Sequence, residues 1–398
     1  MRLRREFLLI VSVVLGLLLA SGIALALPSE VPDDTPMVNG NVRAFAEVGG
    51  NLWVGGNFTQ VKTRGGTVIA NVSNVAVFDA ATGSYKHGIA PELGAGSKTS
   101  KVTEIETYGT SVLIGGTFAG PSATQRNLAA FNATTGELVR WFNSGTLESL
   151  LPAPYLGRVY AGGGSLTAFE FETGKRLWTR AKTSVDNTLR AHKTSAAYRD
   201  LELDGSTIWA ACGCDAVDGK PAKALVKLNT EGAHDASWVA QAGKAAYGIS
   251  LVQVGTDLYL AAGGNDFLAK YPKASGGARA WVRDTAGAAQ VVEVVDGQLV
   301  VGGHFWEVAD QEGDRCGHRS RNNAKTLDSN DECQTRKGLA AYSFGGALEA
   351  GWDPTYSGKY NLAWALYPEA TPTGTRLHVG GEFLTVSGVR QTYYARLS

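Results

Sequence analysis

The chain is predicted to be all-β: a single β-propeller of seven blades, closed by an N-terminal strand that completes the last blade. Three observations carry this expectation. One short phrase recurs along the chain, each copy lies inside a run of four β-prone pieces separated by turns, and the last run lacks its fourth piece. The phrase reads Leu52-Trp-Val-Gly-Gly-Asn-Phe58, Val112-Leu-Ile-Gly-Gly-Thr-Phe118, Val300-Val-Gly-Gly-His-Phe305 and Leu377-His-Val-Gly-Gly-Glu-Phe383. Weaker copies stand at Val159-Tyr-Ala-Gly-Gly163 and Leu258-Tyr-Leu-Ala-Ala-Gly-Gly264, and a degenerate slot at Ile208-Trp-Ala-Ala-Cys-Gly-Cys214. A repeat at this spacing marks an array architecture. Six or eight blades stay open because the third and fourth units are degenerate. A β-helix or open solenoid is the other architecture considered, and its period is usually shorter.

Taken in order, residues 1–27 read as a signal peptide or membrane anchor. Arg2, Arg4 and Arg5 precede an apolar run that ends at Ala24-Leu-Ala26 before Pro28, which suits cleavage near Ala26. The run is also long enough to stay as an anchor. The propeller then spans 28–398. Its first unit starts with Val42-Arg-Ala-Phe-Ala-Glu-Val48, turns at Gly49-Gly50 into the Gly-Gly phrase, and continues through Asn74-Val-Ala-Val-Phe-Asp79. The second repeats the plan with Val102-Thr-Glu-Ile-Glu-Thr-Tyr108, Asn127-Leu-Ala-Ala-Phe-Asn132 and Glu137-Leu-Val-Arg-Trp141. Alternating apolar pieces joined by Gly-containing turns are antiparallel strand signals. Later units follow, the sixth being interrupted by a polar insert over 307–337. The seventh stops at Tyr394-Ala-Arg-Leu397, so Asp34–Gly40 is the candidate for its missing strand, which would remove open edges. The glycine pairs are expected in second strands, where a neighbour passes too closely for a side chain. No long apolar period of 3.6 appears, so helix content should be near zero.

The bulk composition narrows the partners. Lys plus Arg and Asp plus Glu both number 37, giving zero net charge, and no basic stripe follows the first residues. A nucleic-acid partner is therefore not expected.

The Val-Gly-Gly-x-Phe phrase, the Asn-Leu-Ala-x-Phe-Asn strand, the Thr-Gly turn and Trp-x-Pro together resemble the secreted delta-60 repeat β-propellers of bacteria. The clearest matches are Val54-Gly-Gly-Asn-Phe58, Arg126-Asn-Leu-Ala-Ala-Phe-Asn132 and Val379-Gly-Gly-Glu-Phe-Leu-Thr-Val386, within a coverage of about 35 to 398. The resemblance implies an extracellular propeller and says little about chemistry. A more distant resemblance to quinone-binding propellers places none of their ligand residues here, and no cofactor is expected.

Candidate chemistry falls in four groups. Cys316 and Cys333 bracket the polar insert and are expected to form a disulfide in an exported protein; Cys212 and Cys214 are expected to bridge locally, with a structural metal as the lesser alternative. Six histidines are scattered, with His304 and His378 beside glycine pairs as packing or surface variants. Glu104, Glu106, Asp200, Glu202 and Glu293 lie on first strands, where alternate side chains face a central channel, and Arg43 and Arg199 are their possible partners. Their plain reading is a solvated channel wall; the functional ones are glycan or cation binding, or paired-carboxylate cleavage. Asp314, Asp328, Asp331 and Glu332 in the insert match no compact Ca²⁺ loop. Among aromatics, Trp141, Trp178, Trp238, Trp281 and Trp352 recur once per unit and suit rim packing. Trp306 breaks that pattern and is the candidate binding aromatic.

Three functions follow. An exported module binding extracellular protein or glycan at the cell envelope predicts no convergent catalytic set. An extracellular enzyme (hydrolase, lyase or cofactor-dependent oxidoreductase) predicts carboxylates or a histidine converging in a pocket with perturbed pKa. A purely structural module predicts neither.

Overall fold

The computed structural model describes residues 26–94, 100–120, 125–191, 195–314, 316, 333–358, 362–372 and 374–398. The N-terminal segment and most of the insert lie outside these. Among the described residues seven antiparallel core sheets follow one another along the chain. Their inner strands, each the first of its sheet, are β1 (Val42–Val48), β2 (Lys101–Tyr108), β3 (Ser149–Ala153), β4 (Ala197–Asp204), β5 (Tyr247–Val254), β6 (Ala289–Val295) and β7 (Leu362–Thr371). Each inner strand touches the next, and β7 touches β1, so they surround a common axis. Helix is limited to Asn187–Ala191 and two three-residue 3₁₀ turns among the described residues.

The glycine pairs explain how the inner strands come so close. They lie in the second strands, at Asn51–Gly56 and Gly374–Glu382 among others. A Cβ on Gly55 would meet Val102 of the next sheet at 2.5 Å, and one on Gly380 would meet Val42 of the first sheet at 2.5 Å. The second glycine of each pair faces its own sheet: a Cβ on Gly56 would sit 1.9 Å from the Asn41 carbonyl oxygen. Layers of buried apolar side chains fill the spaces between sheets, such as Trp53, Val77, Ile105, Ile114 and Ala129 between the first two.

The N-terminal segment differs in detail from the expectation. Met37–Val38 pairs with Gln60–Lys62 in a small sheet beside the first core sheet. The stretch that lies along Tyr394–Leu397 is upstream: the Ser29 and Asp33 amides donate to the Ser398 and Arg396 carbonyls (3.0 and 2.8 Å), and Pro32 bridges Leu397. The Arg396 guanidinium and Asp33 carboxylate fix the register. Pro36, which has no amide proton to donate, falls in the stretch first assigned to this pairing.

Both expected disulfides form. Cys316–Cys333 has a Cα–Cα distance of 5.6 Å and ties the insert where Glu307–Val308 pairs with Gln334–Thr335. Cys212–Cys214, at 5.3 Å, lies fully buried between the third and fourth sheets. Disulfides point to an oxidising, extracytoplasmic environment. No helix among the described residues is long and apolar enough to cross a membrane. Asp328, Asp331 and Glu332 fall outside the described residues.

Candidate functional site

A cavity of about 480 Å³ opens along the axis between the inner strands. Its wall is shaped by one recurring backbone device. In six of the seven inner strands the register with the second strand slips by one residue, at Val42/Ala44, Val102/Glu104, Tyr198/Asp200, Gly248/Ser250, Ala289/Val291 and Ala363/Ala365. A β-bulge of this kind adds an unpaired residue and re-aims its side chain. The six extra residues are Arg43, Thr103, Arg199, Ile249, Gln290 and Trp364, and all six line the cavity. In four of these strands the slip lies opposite a Gly-Gly pair: Gly55-Gly56, Gly115-Gly116, Gly302-Gly303 and Gly380-Gly381.

Beyond the bulges, the acids line the channel. Glu104, Glu106, Asp200 and Glu293 all face the cavity, with Glu148 and Glu47 beside them. Each of the first four keeps part of its surface open to the cavity although protein surrounds it. Burial, reinforced by repulsion from Asp200, pushes Glu106 and Glu293 up to about 8. Glu104 stands well above the usual carboxylate range through burial and then through Asp200, Glu106 and Glu148. Asp200 is raised by burial against three hydrogen bonds, from the Leu201 amide (2.8 Å), the Leu251 amide (2.8 Å) and the Ser250 hydroxyl (3.1 Å). The bonds from Leu251 and Ser250 tie the fourth sheet to the fifth, and the three together hold Asp200 in one orientation. Glu202 follows on β4 but is not part of the cavity lining; burial, then Asp200, Glu293 and Glu106, holds it well above its ordinary value.

The cations do not pair with these acids as expected. Among the described residues no ion pair joins Arg43 or Arg199 to Glu104, Glu106, Asp200, Glu202 or Glu293. The Arg43 guanidinium instead lies over the Trp364 ring, 4.2 Å from its centre. Burial lowers its pKa, while Glu148 and Glu382 oppose that shift. Arg199 lies 5.5 Å over the Tyr247 ring. The Nε atoms of both arginines are buried without a hydrogen-bond partner.

Trp306 is half-buried and outside the cavity, and its carbonyl accepts from the Arg336 amide at 2.9 Å. The cavity aromatic is Trp364, which sequence reasoning missed, along with Glu148 and Gln290. A signal existed: the bulged residue stands at a constant offset ahead of the first glycine, or of its alanine substitute, in every bulged unit but the seventh. There a longer hairpin shifts Trp364. Among the described residues no group of three or more His, Cys, Asp or Glu is placed to hold a metal ion. Of the two histidines beside glycine pairs, His304 is exposed and His378 is fully buried, bonded to Glu369 (2.8 Å) and Tyr394 (3.1 Å).

Residues 38–316 match the family described as outer membrane protein assembly factor BamB, a family of the β-propeller type. The chain belongs to that family. No curated protein matches the sequence. Among solved structures, the computationally designed Ika8 protein superposes with a TM-score of 0.50 at 11% identity, covering 92% of each chain. Raptor from Chaetomium thermophilum superposes at 0.56 and 11% identity, over 93% of this chain and 29% of its own. At these identities the likeness extends to fold alone.

Proposed function

We propose that this member of the BamB family is an exported seven-bladed propeller that acts as a binding or scaffold module for protein or glycan at the cell envelope. Its N-terminal residues 29–33 complete the ring against the last sheet, and its individual repeats keep a delta-60-like character. The observation that carries the reading is the bulge ring. Six equivalent backbone positions in a repeated frame present five kinds of side chain to one cavity: Arg43, Thr103, Arg199, Ile249, Gln290 and Trp364. A repeat built only for structure has no need of such variety at the one place where its backbone departs from the ladder. The family description, an assembly factor of the outer membrane, supports work on other envelope components. The disulfides suit that compartment.

The test is direct binding. The purified full chain and an Arg43→Ala/Trp364→Ala variant are titrated with envelope-derived oligosaccharides and peptides. Binding that the variant loses supports the reading; ligands bound equally well by both overturn the assignment to this cavity. A second reading, as an extracellular enzyme, is favoured by one observation: Glu106 and Glu293, held at about 8, are protonated at neutral pH, as a general acid must be. Turnover of a glycan that disappears in both Glu106→Gln and Glu293→Gln would establish it over the first.

A further inference from the structure

The segment that closes the ring lies directly beside the bond at which the sequence marks a cut. The signal Ala24-Leu-Ala26 ends at Ala26, which is exposed, and the chain is held from the next residue onward. Leu27 packs against the core layer that contains Trp352, Tyr356 and Leu397. Pro28 is buried, and its carbonyl accepts from the Trp352 indole N–H at 2.8 Å. The Ser29 amide donates to the Ser398 carbonyl at 3.0 Å. Glu30 is held twice: its carboxylate accepts from the Asp353 amide and its carbonyl from the Ser387 hydroxyl, each at 2.8 Å. Asp33 ends the run, with its amide on the Arg396 carbonyl and its carboxylate on the Arg396 guanidinium.

A protease binds its substrate extended, with residues on both sides of the scissile bond free of other partners. Cutting beside a docked segment therefore waits for that segment to open. Where opening and closing are fast, the rate follows the fraction of molecules that are open. The partners of this clasp include the last residues of the chain, and Asp33 and Ser398 are bonded across a sequence separation of 365. A chain made and exported from its N-terminus onward presents Ala26–Leu27 well before Tyr394–Leu397 has emerged to cover residues 29–33. We infer that the Ala26–Leu27 bond is a processing site open to a membrane-bound signal peptidase only until the ring closes. Residues 27–33 thus serve first as the protease's substrate and then as the closing segment. Cutting adds water across the Ala26–Leu27 amide, leaving a carboxylate on Ala26 and an α-ammonium group on Leu27. A chain that closes uncut keeps its upstream apolar run as an anchor, which holds the edge of the last sheet at the bilayer. The inference goes beyond the binding-module reading and shares with it only the export of the chain.

The test is digestion of the uncut full chain, purified folded in detergent, by a bacterial signal peptidase, with the product read by mass spectrometry. Three forms are compared: wild type, Trp352→Phe/Asp33→Ala, which loosens the clasp and leaves residues 24–27 unchanged, and Cys316→Ser/Cys333→Ser, which weakens the fold elsewhere. Synthetic peptides of residues 15–35, with and without Asp33→Ala, report how well the bare sequence is cut. Both peptides should be cut between Ala26 and Leu27 at one rate, and folded wild type about tenfold or more slowly. The clasp variant should be cut about tenfold or more faster than wild type, while the disulfide variant stays as slow as wild type. Equal rates for wild type and the clasp variant overturn the inference. So does a disulfide variant cut as fast as the clasp variant, since global unfolding would then be what exposes the bond. Peptides left uncut at Ala26 remove the site altogether. The cavity reading stands apart from all of these results, because it is tested by ligand titration of the closed ring.

Discussion

Glutamine at position 106 removes one of the two channel acids held near neutrality without changing the shape of the side chain. In the folded protein, burial and then Asp200 hold the Glu106 carboxyl at about 8, against 4.5 for the free group. Between those values the folded state binds the proton more tightly than the unfolded chain does. Stability from this group is therefore fully present below about 4.5 and is lost as pH climbs through about 8. Each pKa unit is worth about 1.4 kcal/mol, so a fully enclosed group would contribute on the order of 5 kcal/mol over the window. Solvent in the cavity still reaches part of the carboxyl and screens it, which brings the expectation to about 1–2 kcal/mol. Urea denaturation of wild type and Glu106→Gln at pH 5 and pH 8.5 reads this directly. Wild type should lose stability between the two, and the variant should lose about 1–2 kcal/mol less, so that it gains on wild type at pH 8.5 rather than at pH 5. Parallel pH dependences for the two proteins would refute the placement of Glu106 in a poorly solvated, like-charged wall.

Three further outcomes follow from the frame. Gly381→Ala would bring a Cβ within 2.0 Å of the Leu362 carbonyl oxygen and should cost about 2–3 kcal/mol in chemical denaturation, whereas Gly145→Ala, with nothing within 4 Å, should change stability by less than about 0.5 kcal/mol. Replacing Cys316 and Cys333 by serine opens a loop with a sequence separation of 17 and should lower stability by about 3 kcal/mol; the same melting temperature with and without the bridge would mean the insert unfolds independently. Deleting residues through Asp33 strips backbone partners from Arg396 and Ser398 and leaves the Arg396 guanidinium without its carboxylate. Hydrogen exchange over Tyr394–Leu397 should then speed up by at least tenfold, and unchanged protection would show that the last sheet does not depend on this segment.

Much of the frame was legible because glycine pairs and turn residues are local signals with few other meanings. The acids Glu104, Glu106, Asp200 and Glu293 were legible as channel residues for a similar reason, since alternation along a strand fixes which side chains share a face. The bulges were not, because one extra residue reverses that alternation and nothing within the strand announces it. Arg43 and Arg199 were placed in the channel but with the wrong partners, and Trp364 was passed over. The inner strand Ser149–Ala153 was also missed: it is short, contains Pro152 and carries no bulge. Trp306 drew attention by breaking the tryptophan pattern, yet it stands at the root of the insert, away from the cavity.

The glycines that looked like packing alone also govern the site. The residue pair next to each bulge is Val42 with Gly56, Val102 with Gly116, Ala289 with Gly303 and Ala363 with Gly381. In the fifth sheet the phrase has alanine there, and the glycine has crossed to the inner strand, as Gly248 opposite Ala262. A Cβ on Gly248 would lie 2.1 Å from the Ala224 carbonyl oxygen of the fourth sheet, so this glycine makes room between neighbouring sheets, as Gly55 and Gly380 do, rather than within its own. The fourth sheet has glycine on neither side: Tyr198 faces Cys212, whose sulfur is bonded to Cys214 two residues along the same chain. The bulge survives in the fourth and fifth sheets although neither keeps the glycine pair at this place. Because the bulge delivers a side chain to the cavity, the repeat supplies the position, and the residue at that position is free to differ from sheet to sheet. A frame of this kind lets the cavity-facing chemistry change without disturbing the contacts that hold the sheets together.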